Sequence, residues 1–352
     1  MSTAAAATLE SQGLRVWTLG RSDFARWDKF VAECPEATFF HRAGWKNIME
    51  NVFGHETFYL MAESSAGIEG VLPLGRVRSW LFGDALISVP FGVYGGVAAR
   101  SDGARLLLEN EAERLAESLS VDYLEMRHRT PRRDWPSKDL YVTFRKQIHP
   151  DPEENLKAIP RKQRAMVRKG MKSGMRVELD SDIDRFFFAY ATSVRNLGTP
   201  VYPRSYYRAL KDEFGEDCEI SAVMKDGRTV AGLMTFFFRD EVLPYYGGGT
   251  AEARALKAND FMYWELMKRS SERGFRLFDY GRSKVGTGSY SFKKNWGFEP
   301  EPLAYQYRLV RASEVPNVSP VNPKYRLLVK MWRHLPLSLS TVLGPLVSRS
   351  IA

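Results

Sequence analysis

The chain has 352 residues, of which 44% are hydrophobic and 13% aromatic, and it carries a formal net charge of +9. A chain of this size buries a large core and divides more readily into two domains than one. Its two cysteines, Cys34 and Cys218, are far apart and lack a C-x-x-C spacing, which excludes a disulfide framework and a zinc cluster and fits a reducing cytoplasm.

Neither end of the chain has the pattern of an export signal or a membrane span. Residues 1–19 contain a short alanine run without a basic region or a long apolar core. The apolar stretch 335–347 is shorter than the roughly 18 residues that cross a bilayer and contains Pro336 and Pro345. We therefore expect a cytoplasmic protein, either freely soluble or at the inner face of the plasma membrane.

Hydrophobic spacing and turn residues predict one order of elements in the first half of the chain. In chain order these are helices over 24–31 and 45–53, strands over 58–62 and 68–77, a strand reaching 94–96, a helix over 102–119 and a strand over 121–127. The second helix ends at Phe53 and Gly54, where the glycine suits a C′ position with positive φ.

The same order recurs roughly 150 to 160 residues later. The elements are helices over 186–194 and 206–214, strands over 219–224 and 229–238, a strand reaching 247–249, a helix over 259–273 and a strand over 275–280. Gly215 ends the second helix, Asp226 and Gly227 predict a hairpin turn, and Asn259 is the predicted N-cap of the last helix.

This repeated order predicts an α+β fold with two mixed sheets flanked by helices, the element order of the acetyltransferase (GNAT) fold. Duplication is the simplest explanation, and chance similarity of two α+β patterns is the alternative. We predict a first GNAT-like domain over 14–150, a basic linker helix within 151–178, a second GNAT-like domain over 179–311 and a C-terminal tail over 312–352.

Residues 157–176 carry eight lysine and arginine side chains and no acidic residue. Such a run attracts phosphates of a nucleotide-linked substrate, RNA or an acidic membrane face, and the alternative is a solvated helix that only joins two domains. We predict a helix over 161–171 that places Arg161, Arg164 and Arg168 on one face, where the arginines would hold a diphosphate.

Several motifs carry a resemblance to a known family. They are Thr38-Phe39-Phe40-His41 followed by Trp45, Tyr245-Tyr246-Gly247-Gly248, Asp279-Tyr280-Gly281, and Tyr290-Ser291-Phe292-Lys293-Lys294-Asn295-Trp296-Gly297-Phe298. The chain resembles the FemAB peptidyltransferase family over about 24–309, and more narrowly the FemAB-like proteins associated with exopolysaccharide and PEP-CTERM/exosortase loci. His41 stands where that family often has glutamine.

The resemblance implies an N-acyl or aminoacyl transferase that acts on an amine of a cell-envelope or exopolysaccharide precursor. The donor would be acyl-CoA or aminoacyl-tRNA, with no cofactor and no metal. The chain lacks the coiled-coil arm of the peptidoglycan-building members and the Q/R-x-x-G-x-G/A loop of coenzyme A-dependent acetyltransferases. The missing loop makes an ordinary transfer from acetyl-CoA a less favoured interpretation.

Candidate site residues follow from the motifs and from the chemistry of acyl transfer. Lys293 would stabilise an oxyanion or leaving oxygen, as the resemblance also implies, or be a surface lysine beside a turn. Asp279, at the end of a strand, would orient an amine or accept its proton, or instead cap the turn after it. The other candidates are Tyr290 as a catalytic hydrogen-bonding group, and Tyr246, Arg164, Arg168, Trp45, His41, Asn259 and Lys294 as substrate contacts.

A function from another class is a non-catalytic module that binds a nucleotide-linked or lipid-linked glycan. The tail 323–352 mixes basic, aromatic and apolar residues. It would lie at an anionic membrane, or pack as a helix on one of the domains. The expected partners are thus a small-molecule or glycan-linked acceptor, a tRNA as one of the two donor types, and an anionic membrane.

Overall fold

The computed structural model describes residues 13–79, 83–315 and 326–350. Of these residues, 13–139 and 303–315 form one compact unit, and 140–302 and 326–349 form a second. Within the described ranges, no helix combines the length and apolar character needed to span a bilayer. Of the predicted tail 312–352, residues 316–325, 351 and 352 lie outside the described part of the chain.

The first unit begins with a short strand, two helices and a strand meander. Its elements run in the order β1 (Arg15–Thr18), α1 (Phe24–Glu33), α2 (Gly44–Ile48), β2 (Glu56–Ser64), β3 (Gly67–Ser79), β4 (Gly83–Ser88), β5 (Ala98–Ala99), α3 (Asp102–Ser118) and β6 (Tyr123–His128). The Ser101 side chain caps α3 by accepting a hydrogen bond from the Ala104 N–H. Apolar side chains of α3 then pack with those of the sheet in one core.

The second unit repeats this order after three additional elements. Its elements are β7 (Tyr141–Gln147), α4 (Pro152–Ala158), α5 (Arg161–Met171), β8 (Arg176–Asp180), α6 (Asp184–Leu197), α7 (Arg204–Phe214), β9 (Cys218–Lys225), β10 (Arg228–Phe238), β11 (Glu241–Gly249), α8 (Ala253–Leu256), α9 (Ala258–Glu272), β12 (Leu277–Asp279), β13 (Ser283–Lys284), α10 (Gly288–Asn295) and β14 (Pro300–Pro302). Strand β15 (Ala304–Leu309) and helices α11 (Arg326–Trp332) and α12 (Leu337–Ser348) follow.

Both sheets are mixed. The first has the strand order β1-β2-β3-β4-β6-β15 with β5 beside β3, and the second has the order β13-β7-β12-β11-β10-β9-β8 with β14 beside β7. The parallel pairs are β4 with β6 and β11 with β12, and the other pairs recorded in the described residues are antiparallel. The predicted α+β fold with two mixed sheets is confirmed, as is the positive φ of Gly54 and Gly215.

The compact units differ from the predicted domain boundaries at two strands. Strand β7 follows the first repeat in the chain but pairs with β12, β13 and β14 of the second unit. Strand β15 follows the second repeat but pairs with β6 of the first unit along its whole length. The predicted domain boundaries at 150 and 311 follow the sequence repeat. The backbone hydrogen bonds instead place β7 in the second unit and β15 in the first.

The predicted basic helix is confirmed with the same bounds, 161–171, as α5. It is nevertheless part of the second unit rather than a free linker. Gln163 of α5 and the indole N–H of Trp296 both donate hydrogen bonds to the carboxylate of Asp260 on α9. The apolar face of α5 contributes Val167 to the core of the second unit.

The prediction of a strand reaching 94–96 is wrong, since β4 ends at Ser88. Val89 and Phe91 both have positive φ, a conformation that a β-branched or bulky residue rarely adopts and that ends a strand. The buried guanidinium of Arg127 holds this loop by donating to the carbonyls of Val89 and Gly92, and it pairs with Glu125 at 2.7 Å.

Candidate active site

The second unit contains an opening between its two parallel strands. Strands β11 and β12 pair only at Glu241 with Leu277 and at Val242 with Phe278. Strand β12 ends one residue later, whereas β11 continues to Gly249 alongside β10. Among the described residues no strand pairs with this edge of β11 beyond Val242. The carboxyl-terminal half of β11 therefore has a strand neighbour on one side only.

Asp279 fixes the turn that follows β12. One carboxylate oxygen accepts a hydrogen bond from the Gly281 N–H at 2.7 Å, and the other accepts from the Arg145 guanidinium at 3.0 Å. Arg145 also pairs with Glu241 at the start of β11. The Asp279 residue is 1% exposed. Its observed contacts are those of the turn-capping alternative.

Lys293 lies in the last turn of α10. The Thr287 side chain caps this helix by accepting from the Tyr290 N–H. The buried Lys293 ammonium donates to the carbonyls of Tyr280, Gly281 and Arg282 at 2.7, 2.9 and 3.1 Å. These three bonds match the three N–H donors of a charged lysine. The alternative of a surface lysine is therefore wrong for Lys293.

Burial lowers the pKa of Lys293 to about 7, and the Asp279 carboxylate opposes that shift. The ammonium also lies 5.6 Å from the centre of the Phe144 ring, a cation–π contact. Tyr290, which is half-buried, packs its ring edge-on against the same Phe144. Asp279 and Lys293 thus both bind the turn after β12, and Tyr290 and Lys293 both contact the Phe144 ring.

Tyr280, inside this turn, was not among the predicted site residues. Its ring packs against Tyr263, Phe278 and Phe298. Its hydroxyl is buried and has no hydrogen-bond partner among the described residues, and burial raises the pKa of this phenol well above its usual value. A phenol hydroxyl can donate one hydrogen bond, so Tyr280 has a donor that no described residue uses. The only signal in the sequence is its place inside the Asp-Tyr-Gly motif.

Tyr246 belongs to a separate aromatic cluster. Its hydroxyl shares a 2.9 Å hydrogen bond with the Tyr206 hydroxyl, and the rings of Tyr190, Tyr202 and Tyr207 surround it edge-on. Burial raises the pKa of Tyr246 well above its usual value. This hydroxyl already has a partner inside the second unit.

Asn259 and Lys294 are exposed. The prediction that Asn259 caps a helix is wrong, because α9 begins at Ala258 and its N-cap is Lys257. Lys257 has positive φ, and its side chain makes no capping bond, so the first N–H groups of α9 lack a side-chain cap. Lys294 follows Lys293 on α10 but faces solvent, because neighbouring positions on a helix point in different directions.

The exposed face of α5 forms a basic groove. Its lining residues are Arg161, Arg164, Ala165, Arg168, Lys169 and Lys172. Arg164 is held by one hydrogen bond to the Lys157 carbonyl at 2.7 Å, and Arg168 is exposed. The predicted grouping of these arginines on one helix face is confirmed.

His41 and Trp45 lie in the first unit and are both buried. The Nδ1 atom of His41 accepts from the Thr38 N–H at 3.0 Å, so its Nε2 carries the proton and donates to the Gly96 carbonyl at 2.8 Å. The Trp45 indole N–H donates to the Phe39 carbonyl at 3.2 Å. Both side chains bind main chain within their own unit.

The chain is similar to known proteins both in sequence and in fold. Residues 157–294 match the family model of the acetyltransferase (GNAT) domain, and no curated protein sequence matches the chain. The structure of FemX is similar over 90% of this chain and 100% of that one, with a TM-score of 0.65 and 16% identity.

Two other structures share the fold. The C-terminal domain (DUF2156) of a putative lysylphosphatidylglycerol synthetase from Agrobacterium fabrum matches 83% of this chain and 92% of its own, with a TM-score of 0.54 and 12% identity. A tandem GNAT protein from the clavulanic acid biosynthesis pathway matches 86% and 100%, with a TM-score of 0.51 and 13% identity. The chain therefore shares the fold of FemX and of the tandem GNAT protein, and its residues 157–294 match the model of the GNAT domain.

Proposed function

We propose that the chain is an N-acyl or aminoacyl transferase whose reaction takes place at the opening between β11 and β12. The observation that carries this proposal is the buried hydroxyl of Tyr280, the residue directly after β12, which has no hydrogen-bond partner among the described residues. The match of residues 157–294 to the GNAT acetyltransferase domain supports acyl transfer as the reaction class.

In the proposed reaction the acceptor amine attacks the acyl carbon of an ester or thioester. A carbon–nitrogen bond forms, the carbon–oxygen or carbon–sulfur bond breaks, and the amine proton passes to solvent. Tyr280 donates its hydroxyl hydrogen bond to the oxyanion or gives its proton to the leaving atom, and recovers one from solvent. A phenol with a raised pKa stays protonated at neutral pH, as a donor must.

Lys293 and Asp279 act as positioning residues in this proposal. The ammonium of Lys293 uses its three N–H donors on the carbonyls of the turn, and Asp279 binds the Gly281 N–H of the same turn. Together they fix the backbone that carries Tyr280. This role replaces the direct oxyanion contact first expected of Lys293.

The basic groove on α5 is proposed to hold phosphate groups of the donor or of a nucleotide-linked acceptor. Arg164 and Arg168 would supply paired N–H donors to a diphosphate. Acyl-CoA carries a diphosphate, and aminoacyl-tRNA carries the phosphodiesters of its backbone. The similarity to a putative lysylphosphatidylglycerol synthetase favours keeping an aminoacyl donor among the candidates. An acceptor from a cell-envelope or exopolysaccharide precursor, including a PEP-CTERM context, rests on the motif resemblance.

The test is a donor screen with the full-length protein. It is incubated with a panel of acyl-CoAs and of aminoacyl-tRNAs and with amine-bearing saccharide acceptors, and products are read by mass spectrometry. In parallel, surface polysaccharide from a deletion strain is analysed for a missing acyl or aminoacyl group. An amide product and a missing substituent support the proposal. Donor binding without any product would instead identify the binding module considered above.

A further inference from the structure

Large apolar side chains are exposed on the two C-terminal helices. Half of the exposed large apolar side chains among the described residues lie on α11, on α12 or at their ends, and these are Leu327, Leu328, Met331, Leu339, Val342 and Leu346. Val342 and Leu346 are 68% and 65% exposed. A concentration of this kind on one short segment marks an interaction surface.

Helix α12 docks on the second unit through its small residues. Ser340, Gly344 and Ser348 recur every four residues and are its buried positions. The Ser348 hydroxyl donates to the Val201 carbonyl at 3.2 Å, and a Cβ on Gly344 would come within 2.7 Å of the same oxygen. This close approach turns the small face inward and leaves the large apolar residues outward.

Helix α11 and the residues that follow it are held against the end of α6. The Arg195 guanidinium donates to the Leu335 carbonyl at 3.1 Å, and the Arg333 guanidinium donates to the Leu197 carbonyl at 3.3 Å. Val329 packs against Gly198, the residue that ends α6. The exposed apolar side chains are therefore presented by a docked segment.

The charge of the segment indicates what the surface contacts. Residues 326–350 include four arginine or lysine residues and no aspartate or glutamate. Lys330 and Arg333 are exposed beside the apolar side chains of α11. Two copies meeting through this surface would bring like charges together. An apolar surface with only basic charge instead complements anionic lipid, whose headgroups attract lysine and arginine.

We propose that α11 and α12 form a preordered surface that docks on an anionic lipid bilayer. The apolar side chains of both helices enter the headgroup boundary, and the basic side chains contact lipid phosphates. This inference goes beyond the proposed transfer reaction and depends on none of its residues.

The test uses the full-length protein and vesicles of phosphatidylcholine alone or mixed with phosphatidylglycerol, with binding read by co-sedimentation. The wild-type protein should bind the mixed vesicles in a salt-sensitive manner. The triple variant Leu339→Ser, Val342→Ser, Leu346→Ser should bind them at least about tenfold more weakly. In this variant, three apolar side chains that would leave water on binding are replaced by polar ones. Leu179→Ser, an equally exposed apolar position on β8, is the matched control and should bind like wild type.

Lys330→Glu is the second variant and should also weaken binding, since it replaces an exposed basic charge without touching the docked face. If the triple variant has a lowered melting temperature, the binding of Lys330→Glu decides the test. Equal binding by wild type, the triple variant and Lys330→Glu would overturn the proposal, as would equal binding to vesicles without phosphatidylglycerol. A wild-type dimer that the triple variant loses in sedimentation without lipid would overturn it in favour of a second copy. None of these readouts requires transfer activity.

Discussion

The ammonium of Lys293 donates hydrogen bonds to three consecutive carbonyls of one turn. An uncompensated charge in a site this buried would be costly, and the carbonyls together with Asp279 supply the compensation. Removal of the ammonium leaves those carbonyls without their donor in the interior. At this position the positive charge therefore serves the geometry of the turn that carries Tyr280.

The lowered pKa of Lys293 makes stability depend on pH in a defined window. The folded state releases the Lys293 proton near pH 7, whereas the unfolded chain holds it up to the ordinary lysine value of about 10.5. Between these values the unfolded state binds more protons, so the free energy of unfolding rises with pH. Relative to Lys293→Met, the wild-type protein should gain on the order of 2 kcal/mol between pH 7 and pH 9.

Urea unfolding of both proteins, followed by circular dichroism at several pH values, measures this gain. The Met variant removes the titrating group but keeps the length of the side chain, so other lysines cancel in the difference. Parallel stability curves for the two proteins would show that Lys293 keeps an ordinary pKa in the fold.

At this scale the sequence predicted which residues gather but not what they bind. The motifs identified Asp279 and Lys293, which both bind one turn, and Tyr290, which contacts the same Phe144 ring as Lys293. The partners of Lys293 are carbonyls, and a main-chain acceptor leaves no trace in residue type. Tyr280 was missed because the burial of its hydroxyl depends on contacts with rings elsewhere in the sequence, such as that of Phe298.

Helix α5 is an element whose local properties, but not its tertiary contacts, were predicted from sequence periodicity. Its bounds and its basic face followed from spacing alone, because both are local properties. Its place in the second unit depends on Asp260, which lies about 100 residues further along the chain and on another helix. Likewise the β4 strand was predicted too long, since the loop after it is fixed by Arg127 on β6.

Charge reversal on α5 tests the phosphate groove. The double variant Arg164→Glu, Arg168→Glu should raise the apparent dissociation constant of a phosphate-bearing substrate by about tenfold or more at low salt, since two attractions become repulsions. Its melting temperature should change little, because these side chains are exposed or half-buried. Isothermal titration with the donor found in the screen measures the constant.

Arg208→Glu is the matched control, an exposed arginine on α7 outside the groove. It changes the net charge in the same direction by one substitution. If it weakens binding as much per charge as the double variant, the effect comes from overall charge and not from the groove.

In the whole molecule, the sheet of each unit contains one strand that lies outside its own sequence repeat. The repeat itself was visible in the sequence, because patterns of helices and strands are local. The pairing of β15 with β6 was not, since these strands are separated by the entire second repeat. Tyr305 of β15 is fully buried over Arg127 and donates its hydroxyl to the Val93 carbonyl at 2.7 Å.

Truncation separates the two possible boundaries. A chain ending after Pro302 lacks β15 and should lose the protection of β6 amides from hydrogen exchange, because an inner strand becomes an unpaired edge. A chain ending after Ala312 keeps β15 and should protect β6 as the full-length protein does. Hydrogen–deuterium exchange of peptides covering 123–128 reads the difference. Equal protection in both truncated chains would mean that β15 is dispensable to the first unit.

The most direct measurement of the central claim is the transfer rate of Tyr280→Phe with the donor and acceptor found by the screen. The substitution removes a buried hydroxyl that has no partner among the described residues, so the melting temperature should stay equal or rise. The transfer rate should fall by roughly 100-fold, the size of effect expected for one hydrogen-bond donor at a developing oxyanion. Tyr206→Phe, which breaks the hydrogen bond to Tyr246, should instead lower stability by about 1 kcal/mol and leave transfer intact. A Tyr280→Phe protein that transfers at the wild-type rate would contradict the placement of the reaction at the opening between β11 and β12.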